Sequence, residues 1–116
     1  MLSKPLVSVL VNNYNKEKYC IEAVNSVLKQ IYNNIEIIFY DDCSSDNSLN
    51  LINKYKKKNH IKNLKIIKNL SHGNIASFNQ IKGIKTALKK SKGSIICFLD
   101  SDDFFKKDKI KKVINF

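Results

Sequence analysis

The segment IEIIFYDDCSSDNS, residues 35–48, changes from an apolar run to a cluster of acids and serines. The mostly apolar, β-branched residues at 35–40 are typical of a strand buried on both faces of a sheet. Serines and acids such as those at 44–47 favour the start of a helix. The segment therefore predicts a buried strand, a polar turn and a helix that runs to about Lys58.

The same alternation recurs on both sides of this segment. The further expected elements are strands at 6–11, 64–67 and 94–99 and helices at 17–31, 74–91 and from 107 onward. Strands that alternate with helices favour a parallel sheet with right-handed crossovers and helices on both faces. We expect one α/β domain over residues 1–116, a Rossmann-like three-layer αβα sandwich with a mainly parallel sheet.

The composition is that of an ordinary globular domain, with 116 residues of which 43% are hydrophobic and 27% charged. The longest strictly apolar runs, such as 95–99, are far shorter than the roughly 18 residues of a membrane-spanning helix. Cys20, Cys43 and Cys97 form neither a CxxC pair nor a zinc-ligand spacing. This usage favours free thiols in a reducing compartment, and we expect a cytoplasmic location.

The net charge of +11 comes from 21 basic residues that are all lysine. Heavy use of Lys, Ile and Asn indicates A/T-rich codons, and we interpret the lysine excess as a solvated face. Proteins that read nucleic acids favour Arg for bidentate contacts, so no specific nucleic-acid partner is expected. A basic surface still attracts anions, including nucleotides and acidic membrane surfaces.

Polar side chains follow each predicted strand, at the edge where open α/β sheets bind ligands. Six of the ten acidic residues follow the second and fourth strands: Asp41, Asp42, Asp46, Asp100, Asp102 and Asp103. Two carboxylate clusters on one edge repel each other unless a divalent cation lies between them and a phosphate. Hard oxygen ligands favour Mg²⁺ or Mn²⁺ over zinc.

These acids have different expected roles. Asp46 is interpreted as a helix-capping residue and Asp103 as a solvated side chain. An acidic run after a strongly apolar strand is not needed for folding, so Asp100 and Asp102 are expected to bind a metal or a nucleotide.

The turn after the first strand contains Asn13 and Tyr14, which either contact a base or only shape the turn. The chain has no GxGxxG sequence, no Walker loop and no GxSxG sequence. Their absence argues against a dinucleotide-binding fold, a P-loop enzyme and a serine hydrolase of the nucleophile-elbow type.

Three segments, in order, resemble the motifs of one enzyme family. PLVSVLVNNYN (5–15) resembles a first strand with a nucleotide-binding turn. NSVLKQIYNNIEIIFYDDCSSDNS (25–48) resembles a segment with a DDxSxDxS sequence, and KGSIICFLDSDDFF (92–105) resembles a strand that ends in a metal-binding DxD. Together the three segments resemble the family 2 glycosyltransferases, which are inverting enzymes of the GT-A fold.

The resemblance implies a site for a nucleoside-diphosphate sugar, most simply a UDP-sugar, with Mn²⁺ or Mg²⁺. Asp41 and Asp42 match an acidic pair of which one contacts the uracil and ribose. Asp100 and Asp102 match the DxD, whose last acid coordinates the cation. The remaining implied nucleotide-binding residues are Asn13, Tyr14, Asn15, Asn79 and Ser101.

The sequence departs from the family at three places. Asn12 and Asn13 stand where many members have Pro-Thr, Cys43 stands where many have Gly, and Phe78 replaces an Arg that precedes the residue matching Asn79. In the family, the catalytic base and the acceptor site follow the DxD. We therefore expect the base beyond Phe116, and we expect this chain alone, as a donor-binding part, to be inactive.

The implied parent activity is sugar transfer to a glycan, a lipid-linked acceptor or a cell-surface polysaccharide. Peripheral association with the inner face of the membrane and homo-oligomerisation through an exposed sheet edge are compatible with the sequence. Two other interpretations stay open at this point. One is a nucleotidyltransferase-like protein, and the other is a noncatalytic nucleotide-binding or assembly module.

Overall fold

The computed structural model describes residues 4–69 and 76–115, and the side chains within these ranges except those of 76–80. The elements are β1 (Val7–Asn13), α1 (Cys20–Leu28), β2 (Ile35–Asp41), α2 (Ser48–Lys58), β3 (Leu64–Lys68), α3 (Ala76–Lys90), β4 (Ile95–Asp100) and α4 (Lys109–Ile114). The predicted order of strands and helices is confirmed. Among the described residues, no helix is both long enough and apolar enough to span a membrane.

Helix α1 is shorter than the helix expected at 17–31, whereas α2 begins directly after the predicted helix-start residues 44–47. Residues 16–19 form a turn in which the N–H groups of Tyr19 and Cys20 both donate to the Lys16 carbonyl, at 3.0 and 2.9 Å. The backbone N–H groups of Ser45 and Asp46 donate to Asn15 instead of entering a helix. A turn therefore precedes α1, and the residues just before α2 form hydrogen bonds with the loop after β1.

The four strands form one parallel sheet in the order β3-β2-β1-β4. Strand β1 is central and pairs with β2 on one side and β4 on the other. Right-handed crossovers place α1 and α2 on one face, and the reversed direction from β3 to β4 places α3 on the opposite face. The strand order therefore switches between β1 and β4, which creates a crevice at their carboxyl ends.

The core has two layers, one on each face of the sheet, as an αβα sandwich requires. On one face Val9 and Ile37 pack with Val24 of α1, Ile52 of α2 and Ile110 of α4. On the other face, the buried cluster among the described side chains contains Leu10, Ile38 and Ala87 of α3. Strand β4 is covered less completely than the sequence predicts. Helix α3 packs over β1 and β2, and Phe98 of β4 is 56% exposed.

At the amino edge of the sheet, where the strands begin, the carboxylate of Glu36 links β2 to β1 and to the turn before β4. Glu36 Oε2 accepts hydrogen bonds from the Ser8 hydroxyl and from the Lys92 N–H, and the Gly93 N–H donates to Ser8 Oγ at 2.8 Å. Burial alone would raise the pKa of Glu36, but the hydrogen bonds to its carboxylate and the positive charge of Lys65 outweigh burial and lower the pKa below its ordinary value. A Cβ at Gly93 would lie 2.5 Å from Ser8 Oγ, so the turn before β4 approaches too closely for a larger residue.

Glu36→Gln is expected to lower the free energy of unfolding at neutral pH by about 1–2 kcal/mol, because hydrogen bonds to a charged group are the stronger ones. The pKa of Glu36 is lowered in the folded state, so its contribution is complete above the ordinary value of 4.5 and disappears as the pH falls through the folded-state pKa. Urea denaturation of both proteins across this pH range measures the difference. The exposed Glu17→Gln is the control, and an equal effect of both substitutions would contradict the prediction.

Within residues 4–69 and 76–115, three residues other than glycine adopt a positive φ: Asn15 (53°), Cys43 (54°) and His60 (52°). Asn tolerates this left-handed conformation, whereas a residue such as Cys adopts it at a cost of about 1–2 kcal/mol. Cys43 follows directly after the acidic pair at the end of β2. The position where many members of the resembled family have Gly is thus one where the backbone favours Gly.

Cys43→Gly is expected to be more stable than Cys43→Ala by about 1 kcal/mol, because only glycine lacks the Cβ that disfavours this φ. Both substitutions remove the thiol, so the comparison isolates the backbone effect. Thermal and urea unfolding of the two variants provide the measurement. Equal stability would show that the loop relaxes to another conformation.

Candidate functional site

The carboxyl ends of β1, β2 and β4 lie side by side. In the strand register Asn13 is opposite Asp41, and Asn12 is opposite Asp100. The loops after the strands continue the alignment, since the Asp42 N–H donates to the Asn13 carbonyl at 2.9 Å and the Ser101 N–H to the Asn12 carbonyl at 3.1 Å. The two acidic segments therefore flank the end of the central strand, at the crevice where the strand order switches.

Asp41 is the hydrogen-bonded centre of the edge between β1 and β2. Its Oδ1 accepts from Asn13 Nδ2 at 2.9 Å and from Ser44 Oγ at 2.6 Å, and its Oδ2 accepts from the Ser44 N–H at 3.0 Å. The residue is buried, with 1% of its surface exposed. Both carboxylate oxygens thus fix the loop, so Asp41 positions its neighbours.

Asp42 lies beside this cluster and is also buried. Its Oδ1 accepts a hydrogen bond from Asn69 Nδ2 at 2.9 Å, which joins the ends of β2 and β3. Burial raises the pKa of the nearby Tyr40, and the negative charges of Asp42 and Asp41 raise it further. The electrostatic environment at this edge is therefore negative, which suits a cation or hydrogen-bond donors.

The loops after β1 and β2 are tied together by side chains. Asn15 Oδ1 accepts from the N–H groups of Ser45 and Asp46, at 2.8 and 3.2 Å. Asp46 accepts from the Glu17 N–H and from the Ser48 N–H at the start of α2, both at 3.0 Å. Burial would raise the pKa of Asp46, but these hydrogen bonds and that from the Ser48 hydroxyl lower it. The N-cap residue of α2 is Asn47, so Asp46 lies one residue before the predicted N-cap or first-turn position, and its carboxylate accepts from the first N–H of the helix. Asn15 links the two loops.

The DxD segment lies at the end of β4, where Asp100 and Asp102 are both exposed and Ser101 is buried. The Asp103 N–H donates to the Asp100 carbonyl at 3.0 Å, which makes the segment a turn. Asp102 Oδ2 lies 3.6 Å from Lys16 Nζ in a half-exposed ion pair. Asp103 is solvated, as predicted.

Three buried polar atoms at this crevice have no hydrogen-bond partner among the described residues: Asn12 Oδ1, Asn13 Oδ1 and Ser101 Oγ. A buried acceptor without a donor is costly, so these atoms mark a place for a water or a ligand group. A cavity of about 90 Å³ lies next to Asn12 and is also lined by Tyr40, Gly83 and Asp100. A Cβ at Gly83 would lie 2.6 Å from the Tyr40 ring, so glycine is needed there.

The structure brings together most of the residues that the sequence singles out. Tyr14 is 42% exposed at the end of β1, where it can lie against a flat ligand. The side chain of Asn79 and the loop with His72 and Gly73 lie outside the described residues. The sequence interpretation missed Asn12 and Ser44 as members of the site. For Asn12, the signal was a polar residue near the carboxyl end of an otherwise apolar strand.

The chain is similar to proteins that transfer sugars. It is 37% identical over 115 residues to an uncharacterized glycosyltransferase of Haemophilus influenzae, an alignment that covers 99% of this chain and 43% of that protein. The crystal structure of Staphylococcus aureus TarS 1–349 in complex with UDP-GlcNAc superposes with a TM-score of 0.79 and 34% identity over 95% of this chain and 30% of that one.

The fold is shared more widely than the sequence. The mannosyltransferase PcManGT from Pyrobaculum calidifontis, crystallised with GDP-Man and Mn²⁺, superposes with a TM-score of 0.84 at 20% identity over 97% of this chain and 32% of that one. These neighbours have the GT-A fold, which confirms the expected fold class. The chain spans less than half the length of the relative and of the two solved chains. The sequence model of glycosyl transferase family 2 matches residues 8–116, and the chain belongs to that family.

Proposed function

We propose that this chain is the nucleotide-sugar-binding part of a glycosyltransferase that uses a divalent cation. The observation that carries the proposal is the convergence of Asp42, directly after β2, and Asp100, at the end of β4, on the end of β1. The buried unpartnered acceptors lie at the same crevice, where hydrogen-bond donors of a nucleotide would satisfy them. Binding of UDP-GlcNAc by TarS, at 34% identity, supports a uridine nucleotide as the first candidate.

The two acids at the end of β2 have different proposed roles, since Asp41 positions the loop and Asp42 binds the ligand. Asp41 uses both carboxylate oxygens within the protein, to Asn13 and Ser44. Asp41 is therefore assigned the positioning of the loop. Asp42, whose Oδ1 accepts from Asn69, is assigned the contact with the base or ribose because it belongs to the acidic pair that matches the family. Tyr14 is assigned to lie against the base, because an exposed aromatic ring at a strand end offers a stacking surface.

The residues present fit a divalent cation that is shared with a diphosphate. No group of three or more acidic, His or Cys side chains gathers around one point in the described part of the chain. Mg²⁺ is usually held by one or two carboxylates plus phosphates and water, and the exposed pair Asp100 and Asp102 meets this requirement. When bound, the cation neutralises charge on the leaving nucleoside diphosphate.

Lys16 supplies a positive charge at the place assigned to the cation. Its ammonium group lies 3.6 Å from Asp102 and is about half exposed, so the ion pair is weak and readily broken. A bound cation would displace the lysine toward the phosphates, where a second positive charge is favourable. The site thus offers a carboxylate to the metal and an amine to the diphosphate.

The chemical transfer needs groups outside the segments described above. An inverting transfer requires a base that deprotonates the acceptor hydroxyl, and no role of this kind is assigned within this chain. TarS is named a poly(ribitol-phosphate) β-N-acetylglucosaminyltransferase, which supports a glycan or polymer acceptor for the parent activity.

Cys20, Cys43 and Cys97 are free thiols, which supports a cytoplasmic location.

Asp102→Asn is expected to remove the stabilisation that UDP and Mn²⁺ give together, because it removes a metal-binding charge at almost constant volume. Saturation at about 100 times Kd stabilises a folded protein by about 2.7 kcal/mol, which for this size raises the Tm by about 10 °C. Thermal shift with nucleotide alone, metal alone and both is the measurement. Asp103→Asn is the matched control and keeps most of the shift. Equal wild-type binding in the presence of a chelator would contradict the metal bridge.

Asp41→Asn and Asp42→Asn are expected to separate stability from binding. Asp41→Asn lowers the free energy of unfolding by about 2 kcal/mol, because three hydrogen bonds to a buried charge are weakened. Asp42→Asn weakens binding of UDP with Mn²⁺ by tenfold or more, the loss typical of one charge-assisted hydrogen bond, of order 1.5–3 kcal/mol. Urea denaturation and titration calorimetry measure the two quantities. The opposite division of effects would reverse the roles assigned to the two acids.

A further inference from the structure

Lysines collect at the edge of the sheet opposite the candidate site. The strands are parallel, so the helices α1, α2 and α3 return the chain to the amino edge and all end there. Helices α2 and α3 have lysines in their last turns, Lys29 follows α1, and Lys4 precedes β1. We call the exposed lysines of this edge the amino-edge basic surface: Lys4, Lys29, Lys57, Lys58, Lys89 and Lys90.

The carboxylates near this surface do not cancel its charge. Glu36 is turned inward, where its carboxylate accepts hydrogen bonds from Ser8 and the Lys92 N–H. Asp108, at the start of α4, is paired with Lys112 at 3.1 Å. The candidate site, in contrast, carries Asp41, Asp42 and the DxD segment at the other edge, about 20 Å away by the rise of a seven-residue strand.

An aliphatic side chain projects from the same edge. Ile31 is 59% exposed and follows Lys29 by two residues. It lines a groove of about 460 Å³ together with Lys4, Tyr32 and Lys111. Lys4 Nζ lies 5.8 Å from the centre of the Tyr32 ring, so one lysine is held beside the groove. Exposed apolar side chains among lysines are the combination that membrane interfaces bind.

We propose that the amino-edge basic surface binds an anionic lipid bilayer, with Ile31 entering the interface. This orientation points the candidate nucleotide site away from the bilayer. The inference is independent of the proposed function, since none of its residues belongs to the site. A lipid surface fits better than a nucleic acid, because the edge combines lysine with an aliphatic side chain and the chain has no arginine.

The test is co-sedimentation with vesicles of mixed phosphatidylglycerol and phosphatidylcholine, compared with phosphatidylcholine alone. The wild type is expected to bind only the anionic vesicles. Each lysine near an anionic surface contributes about fivefold in affinity, so the combined variant Lys4→Gln, Lys29→Gln, Lys57→Gln is expected to bind about a hundredfold more weakly. The control Lys18→Gln, Lys68→Gln, Lys85→Gln has the same net charge and removes exposed lysines elsewhere.

The remaining variants and outcomes separate a docking surface from diffuse charge. Ile31→Asn is expected to weaken binding to anionic vesicles and to leave binding to an RNA oligonucleotide unchanged, with circular dichroism confirming that each variant is folded. Equal losses in the two triple variants would overturn the proposal, because the attraction would then follow net charge alone. It would also be overturned by tighter binding of the oligonucleotide than of vesicles, by an inert Ile31→Asn, or by no binding to anionic vesicles.

Discussion

Strand β1 is hydrogen-bonded on both sides and packed on both faces, and the position of every other element depends on it. Its neighbours β2 and β4 lie on opposite sides, so the right-handed crossovers that reach them lie on opposite faces. The chain therefore leaves the end of β1 in a crevice with acidic loops on both sides. The candidate site follows from this strand order before any side chain is considered.

The hydrogen bonds at that crevice rigidify the loops without help from a ligand. Asn13, Asp41 and Ser44 form a closed cluster, and Asn15 and Asp46 join the same two loops from the outside. A preorganised edge of this kind loses little conformational entropy when it binds a nucleotide. The DxD turn is more exposed, as is appropriate for residues that share a cation with a ligand.

The chain departs from the family's common residues, and the structure accommodates two of the departures in different ways. The side-chain amide of Asn13 donates hydrogen bonds to Asp41 and Ser44. Cys43 is instead held at a φ of 54°, a conformation that suits glycine better. One departure therefore adds hydrogen bonds to the site, and the other imposes a local backbone cost that the surrounding loop contacts sustain.

The sequence by itself determined the order of the elements, the fold class and the family resemblance, because periodicity and motif spacing are local properties. It also indicated that Asp46 lies at the start of a helix and that Asp103 is solvated. Only the tertiary structure separated Asp41 from Asp42, placed Asn12 within the crevice and turned Asn15 into a link between loops. In the hydrogen bonds of Asn13 and Asn15, for example, the two partners lie 28 to 31 residues apart in the sequence. Likewise, the lysine count is a property of the composition. The lysines gather at one edge because each helix that connects two parallel strands returns the chain to the same edge of the sheet.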